Sequence, residues 1–144
     1  MIFRVEDLEV LSGEIANIEK NCFSTPWSEE QIRASSDSTV FFIAKYDDRY
    51  VGYGGMYSVL DEGYVTNIGV LPEYRKKGIG KMILEKLLEC AKAKKLTFLS
   101  LEVRPSNVPA ISLYEKYGFE MVGRRPNFYQ NPKEDALLLT RYLK

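Results

Sequence analysis

One stretch limits the possible folds more than any other. The apolar segment Ile68-Gly69-Val70-Leu71 stops at Pro72, Arg75, Lys76 and Lys77 follow, and Gly78 and Gly80 then open an amphipathic run. A strand must end there and a helix must begin, with a basic, glycine-containing turn between them. Backbone N–H groups at a helix start carry about half a positive charge, glycines let a ligand approach the backbone, and the three cations add to the same potential. Cations at a helix N-terminus oppose its dipole, so their presence favours a functional reading over a merely solvated turn. The stretch from Ile68 to Met82 is therefore an anion site, suited to a phosphate-bearing ligand.

Two familiar phosphate motifs fail against it. A P-loop requires Ser or Thr after Gly-Lys, but Gly80-Lys81 is followed by Met82, and Arg75 stands where its first glycine belongs. A dinucleotide fingerprint requires a third glycine where the chain has Ile83, and the preceding strands read as hairpin-linked rather than as a βαβ unit. The twenty basic residues equal the twenty acidic ones, so any affinity for anions is local. That balance argues against a general nucleic-acid or membrane binder.

Histidine is absent, which removes Ser-His and Cys-His nucleophile pairs and the common zinc sites. Carboxylate, Tyr, Cys or Lys must carry any proton transfer. Cys22 and Cys90 fit no metal spacing and read as reduced thiols. No apolar run approaches the roughly 20 residues that span a bilayer, and Glu6, Asp7 and Glu9 occupy the place of a signal peptide. A cytoplasmic protein is expected, with the 144 residues forming one domain, 1–144.

Apolar spacing predicts a strand at Ile2 to Val5 and a helix from Asp7 to Phe23. Ser28 and Gln31 form a capping-box pattern for a short helix through about Ala34. Trp27 lies between the two helices, either as a core plug or as the wall of a substrate groove. Thr39 to Tyr46, Tyr50 to Leu60 and Tyr64 to Val70 read as an antiparallel meander, with Gly52, Gly54 and Gly55 marking a bulge or close packing. From Gly80, Met82, Ile83, Leu84, Leu87, Leu88 and Ala91 form one apolar helix face. Phe98 to Val103 reads as a central strand, and Asn107 caps a helix through Tyr117 that stops at Gly118. Phe119 to Val122 and Ala136 to Leu143 are the last strands, with Gly123 to Asp135 irregular between them.

Arg-x-x-Gly-x-Gly at a helix mouth after an antiparallel meander resembles the GNAT superfamily of acetyl-CoA-dependent N-acetyltransferases. The likeness runs in order through Pro26-Trp27-Ser28, Leu60-Asp61-Glu62, Asn67-Ile68, Leu101-Glu102-Val103-Arg104, Asn107, Leu113-Tyr114-Glu115, Gly118-Phe119, Arg124-Arg125 and Glu134-Asp135-Ala136. Within the superfamily it is most similar to the bacterial ribosomal-protein-alanine N-acetyltransferases.

The resemblance implies an α+β GNAT fold, a mostly antiparallel twisted sheet of about seven strands flanked by about four helices. It implies acetyl-CoA as co-substrate and no metal. The N–H groups of Lys76, Lys77, Gly78, Ile79, Gly80 and Lys81, with Arg75 beside them, would hold the pyrophosphate. Ile68, Gly69 and Val70 would pair with the pantetheine arm, and Asn107 would both cap its helix and contact the cofactor. Glu102 matches the family's general base and Tyr114 its general acid, the phenol supplying a proton to the departing thiolate. Taken alone, Glu102 fits an ion pair with Arg104 or another cation equally well.

Trp27, Glu62, Glu134 and Tyr129 are the implied groove elements for the N-terminal segment of a protein, ribosomal by family precedent. Pro126 separates Arg124-Arg125 from Asn127-Phe128-Tyr129, a departure from the subfamily's usual spacing. Acetylation of a small-molecule amine and a non-catalytic CoA-binding module are the alternatives.

Overall fold

The computed structural model describes residues 1–144. Seven strands, β1 (Ile2–Arg4), β2 (Thr39–Tyr46), β3 (Arg49–Val59), β4 (Glu62–Val70), β5 (Phe98–Val103), β6 (Glu120–Tyr129) and β7 (Glu134–Tyr142), form one sheet in the order β1-β2-β3-β4-β5-β7-β6. Four helices accompany it: α1 (Leu8–Cys22), α2 (Glu29–Ala34), α3 (Ile79–Ala93) and α4 (Val108–Lys116). Every neighbouring pair is antiparallel except β4 and β5. This is the expected α+β architecture.

Local chemistry accounts for the boundaries. The capping box forms, with Ser28 Oγ accepting from Gln31 N–H and the Gln31 side chain accepting from Ser28 N–H. Asp47 and Asp48 adopt φ of 51° and 60°, the pair of positive values that a two-residue hairpin turn needs. Asn107 Oδ1 accepts from Ala110 N–H at 3.3 Å to start α4, and Gly118, at φ 87°, stops the chain after it.

Helix α3 lies close on β3 because Gly54 has no side chain. A Cβ there would stand 2.4 Å from Ile83 Cγ2. The β3–β4 register also slips between Gly54 and Met56, so these glycines serve a bulge and a close approach together.

Two expectations need correction. Met82 is 41% exposed, and Ile79 takes its place on the buried face with Ile83, Leu84, Leu87, Leu88 and Ala91. The segment from Gly123 to Asp135 is largely strand, since β6 runs to Tyr129 and β7 starts at Glu134, although its pairing is broken between Arg125 and Tyr129. Register shifts between Met121 and Gly123 and between Arg125 and Tyr129 break the alternation there, and β6 is an edge strand with little buried side chain. The sequence therefore carries no period-2 pattern to read.

Candidate active site

The single parallel pair opens a gap in the sheet. β4 pairs with β5 only at Glu62, Gly63 and Tyr64, opposite Phe98, Leu99 and Ser100, and beyond that the two strands have no paired residues. Leu71 N–H donates to Val51 O at 2.8 Å, so strand alternation turns Leu71 and Gly69 toward β3 and leaves the N–H groups of Ile68 and Val70 facing the gap. The Val70 carbonyl is held there by Arg75 Nε at 2.9 Å and by the Cys22 thiol at 3.3 Å. Burial pushes the Cys22 thiol pKa up, against the lowering influence of Arg75.

Past Val70 the chain turns through Pro72–Tyr74 into α3. Lys76 at φ 64° and Gly78 at φ 81° shape the turn, and the N–H groups of Lys76, Lys77, Gly78, Ile79, Gly80 and Lys81 have no backbone acceptor. A Cβ on Gly78 would meet nothing within 4 Å, and one on Gly80 only Val70 Cγ2 at 3.9 Å. Unpaired amides around open space fit a pyrophosphate. Arg75 is partly committed elsewhere, bracing the end of β4, and Lys77 Nζ lies 5.7 Å from the centre of the Tyr46 ring.

Across the gap, Glu102 on β5 keeps 33% of its side chain exposed and pairs with Arg125 at 3.5 Å. The ion pair open in the sequence is made with Arg125 rather than with Arg104. Tyr114 on α4 is buried, stacks at a tilt on Phe119, and its hydroxyl has no hydrogen-bond partner in the protein. Burial pushes its phenol pKa up to about 12, with Tyr129 adding to the rise. Tyr129, at the end of β6, is likewise pushed up to about 12, first by burial and then by the negative charge of Glu102. Glu102, Tyr114 and Tyr129 thus come from three elements into one neighbourhood, despite Pro126 and the left-handed Asn127 in the bulge.

The remaining predicted residues divide. Trp27 is half-buried against the core in the α1–α2 loop, and its N–H donates to Glu19 Oε1 at 2.8 Å. Its packing is that of a plug at the edge of the core. Glu62 sits level with Phe98, four residues before Glu102, or about 13 Å along the strand. It hydrogen-bonds Tyr64 and does not join the cluster. Glu134 is consumed as an anchor, accepting from Ser106 N–H at 2.8 Å, Ser106 Oγ at 2.9 Å and Arg104 Nη1 at 3.2 Å. Burial raises its pKa, but those bonds outweigh burial and leave it below the usual carboxylate value. Asn107 acts as a helix cap. No group of three or more His, Cys, Asp or Glu side chains is placed to hold a metal, and no helix is long and apolar enough to cross a membrane.

Sequence reasoning missed Glu19. Its carboxylate is fully buried yet accepts from the Trp27 backbone N–H, from the Tyr53 hydroxyl, and from Asn67 Nδ2 at 3.1 Å. Burial, followed by the Glu19 charge, raises the Tyr53 phenol well above its ordinary pKa. The only signal was an acidic residue beside Ile18 on the inward face of α1, which helical periodicity alone assigns to a boundary.

Comparison with known proteins agrees with this geometry. The profile of the Acetyltransferase (GNAT) family matches residues 13–119. A [Ribosomal protein bS18]-alanine N-acetyltransferase of Salmonella typhimurium is 34% identical over 125 residues, covering 85% of this chain and 84% of its own length. The crystal structure of the ribosomal-protein-S18-alanine N-acetyltransferase from Escherichia coli superposes with a TM-score of 0.89 at 28% identity, covering 100% of this chain and 95% of its own. A GNAT family acetyltransferase from Elizabethkingia anophelis, solved with acetyl-CoA bound, shares the fold at a TM-score of 0.73 and 24% identity, covering 99% of this chain and 97% of its own. With a family match over most of its length and a relative 34% identical over 85% of it, this chain belongs to the GNAT family of acetyltransferases.

Proposed function

We propose that residues 1–144 act as one catalytic domain that moves the acetyl group of acetyl-CoA onto the N-terminal α-amine of a protein, a ribosomal protein beginning with alanine. The observation that carries this reading is the gap between β4 and β5, with Val70 N–H facing it and Glu102 and Tyr129 across it. The choice of acceptor rests on the similarity to the Salmonella and Escherichia enzymes.

In this reading the free amides of Lys76 to Lys81 bind the pyrophosphate, and the exposed edge at Ile68 and Val70 takes the pantetheine arm as an added strand. Asn107, at the start of α4, contributes from the other side. Acetyl-CoA supplies an activated acyl group, and the protein must handle protons and charge. An α-amine has a pKa of about 7.7 to 8.0, so it arrives mostly protonated at neutral pH. Glu102 takes the ammonium's proton first, the freed lone pair then forms the N–C bond, and Val70 N–H donates to the carbonyl oxygen as negative charge grows there. Trp27 and Tyr129 wall the acceptor groove, and Glu62, level with Phe98, lies outside the Glu102 cluster.

The C–S bond then breaks and the sulfur gains charge. Tyr114, with its pKa at about 12, is fully protonated at neutral pH. A thiol has a pKa of about 8.5, so complete transfer from such a phenol to a free thiolate runs uphill by about 5 kcal/mol. Tyr114 is therefore better placed to donate a hydrogen bond to the developing thiolate, with a solvent proton completing the thiol. That replaces the simple proton delivery expected from the sequence.

Tyr114→Phe removes this bond and should lower kcat about 100-fold. In the unaltered enzyme, kcat/KM should rise through the ionisation of the amine and show no loss from Tyr114 ionisation until pH approaches about 12. A phenol-linked fall at lower pH would contradict the assignment. A thiol-release assay with acetyl-CoA should give turnover on an alanine-ended ribosomal peptide above that on polyamines or aminoglycosides. Turnover on free amines alone would sink the protein-substrate reading, and cofactor binding without any turnover would sink the enzyme.

A further inference from the structure

Arg104 leaves the end of β5 two residues beyond Glu102, and its guanidinium is almost completely committed. Nη1 donates to Pro132 O at 2.7 Å and to Glu134 Oε1 at 3.2 Å. Nη2 donates to Gln130 O at 2.9 Å and to Ser24 Oγ at 3.3 Å. The plane of charge also lies 4.5 Å from the centre of the Tyr129 ring. These partners belong to two separate walls. Ser24 is in the α1–α2 loop with Trp27, whereas Tyr129, Gln130, Pro132 and Glu134 form the tip of the β6–β7 hairpin.

Without Arg104 a single direct side-chain bond joins these walls, from Ser24 Oγ to Gln130 O at 3.0 Å. The carbonyls of Gln130 and Pro132 are turn groups with no strand partner of their own, so the planar fork satisfies both at once. Glu134 holds the fork from behind, and Ser106 fixes Glu134. The side chain of Arg104 is 22% exposed, so these bonds lie largely away from competing water. A lysine has no rigid fork and cannot reproduce this set of directions.

We propose that Arg104 is a positioning residue that ties the α1–α2 loop to the β6–β7 hairpin tip and so fixes the width of the acceptor groove and the place of the Tyr129 ring. The inference rests on the acetyl-transfer reading for its kinetic consequence only. The tie itself has a readout that needs no substrate. Trp27 is the sole tryptophan, so tryptophan fluorescence reports on the α1–α2 loop alone.

Arg104→Ala should increase acrylamide quenching of Trp27 and raise KM for the acceptor peptide about tenfold or more, while KM for acetyl-CoA stays within about twofold. Arg104→Lys should recover only part of both effects. Ser24→Ala, at an exposed position where folding is not at risk, should move both in the same direction by less. Both measurements are made well below the melting temperature of each variant. If Arg104→Ala merely lowers Tm, with quenching and peptide KM unchanged, the proposal is overturned. The quenching result decides the tie even if the unaltered protein turns over no peptide, an outcome that would instead refute the acceptor assignment.

Discussion

Glu102→Gln should lower kcat/KM for an α-amine peptide about 100-fold or more at neutral pH, within the range expected for loss of a positioned base. The substitution keeps the shape of the side chain and removes its ability to take a proton. It also breaks the charge pairing with Arg125, which is 55% exposed and loses little in water. The defect should shrink as pH rises past the amine's own pKa of about 7.7 to 8.0, because the nucleophile then arrives already neutral. KM for acetyl-CoA should not change, since in the proposed mechanism Glu102 acts on the amine and not on the cofactor. Initial rates across pH check both points. A variant as active as the parent at neutral pH would move the base elsewhere.

The second large effect concerns stability. Glu19→Ala strands three donors aimed into the protein: the Tyr53 hydroxyl, the Asn67 amide and the Trp27 N–H. Hydrogen bonds to a charged group contribute about 1.5 to 3 kcal/mol each, and a buried donor left without an acceptor bears its full desolvation cost. With allowance for non-additivity, the loss should exceed about 3 kcal/mol. For a chain of this length that lowers Tm by roughly 10 °C. Glu19→Gln keeps the volume and one acceptor oxygen but turns an NH₂ toward a donor, so it should fall between the two. Calorimetry checks the order. An Ala variant melting within a degree of the parent would mean that water replaces the carboxylate.

Much of the fold is legible because local rules and the global pattern agree. The capping box at Ser28, the asparagine cap at Asn107 and the apolar face of α3 each follow from a few neighbouring residues. The distal part of the β6–β7 hairpin, from Gly123 to Asp135, is not legible, because register breaks erase its alternation and β6 buries little side chain of its own. The proposed cofactor side, from Ile68 to Lys81, is continuous in sequence, and its run of amides without backbone acceptors follows from neighbouring residues alone. The acceptor side is assembled from distant pieces. Nothing local to Arg104 announces Ser24 and Gln130 as partners, and nothing local to Glu19 announces Tyr53 and Asn67. Glu62 stands apart from Glu102 because it pairs at the Phe98 end of β5.

The most direct test of the whole account is to incubate the protein with acetyl-CoA and an alanine-ended ribosomal peptide containing internal lysines, then locate the acetyl group by tandem mass spectrometry. One acetyl group on the N-terminal nitrogen, and no modification when that nitrogen is blocked beforehand, is the predicted result. Acetylation of lysine side chains with the N-terminus left free would contradict it.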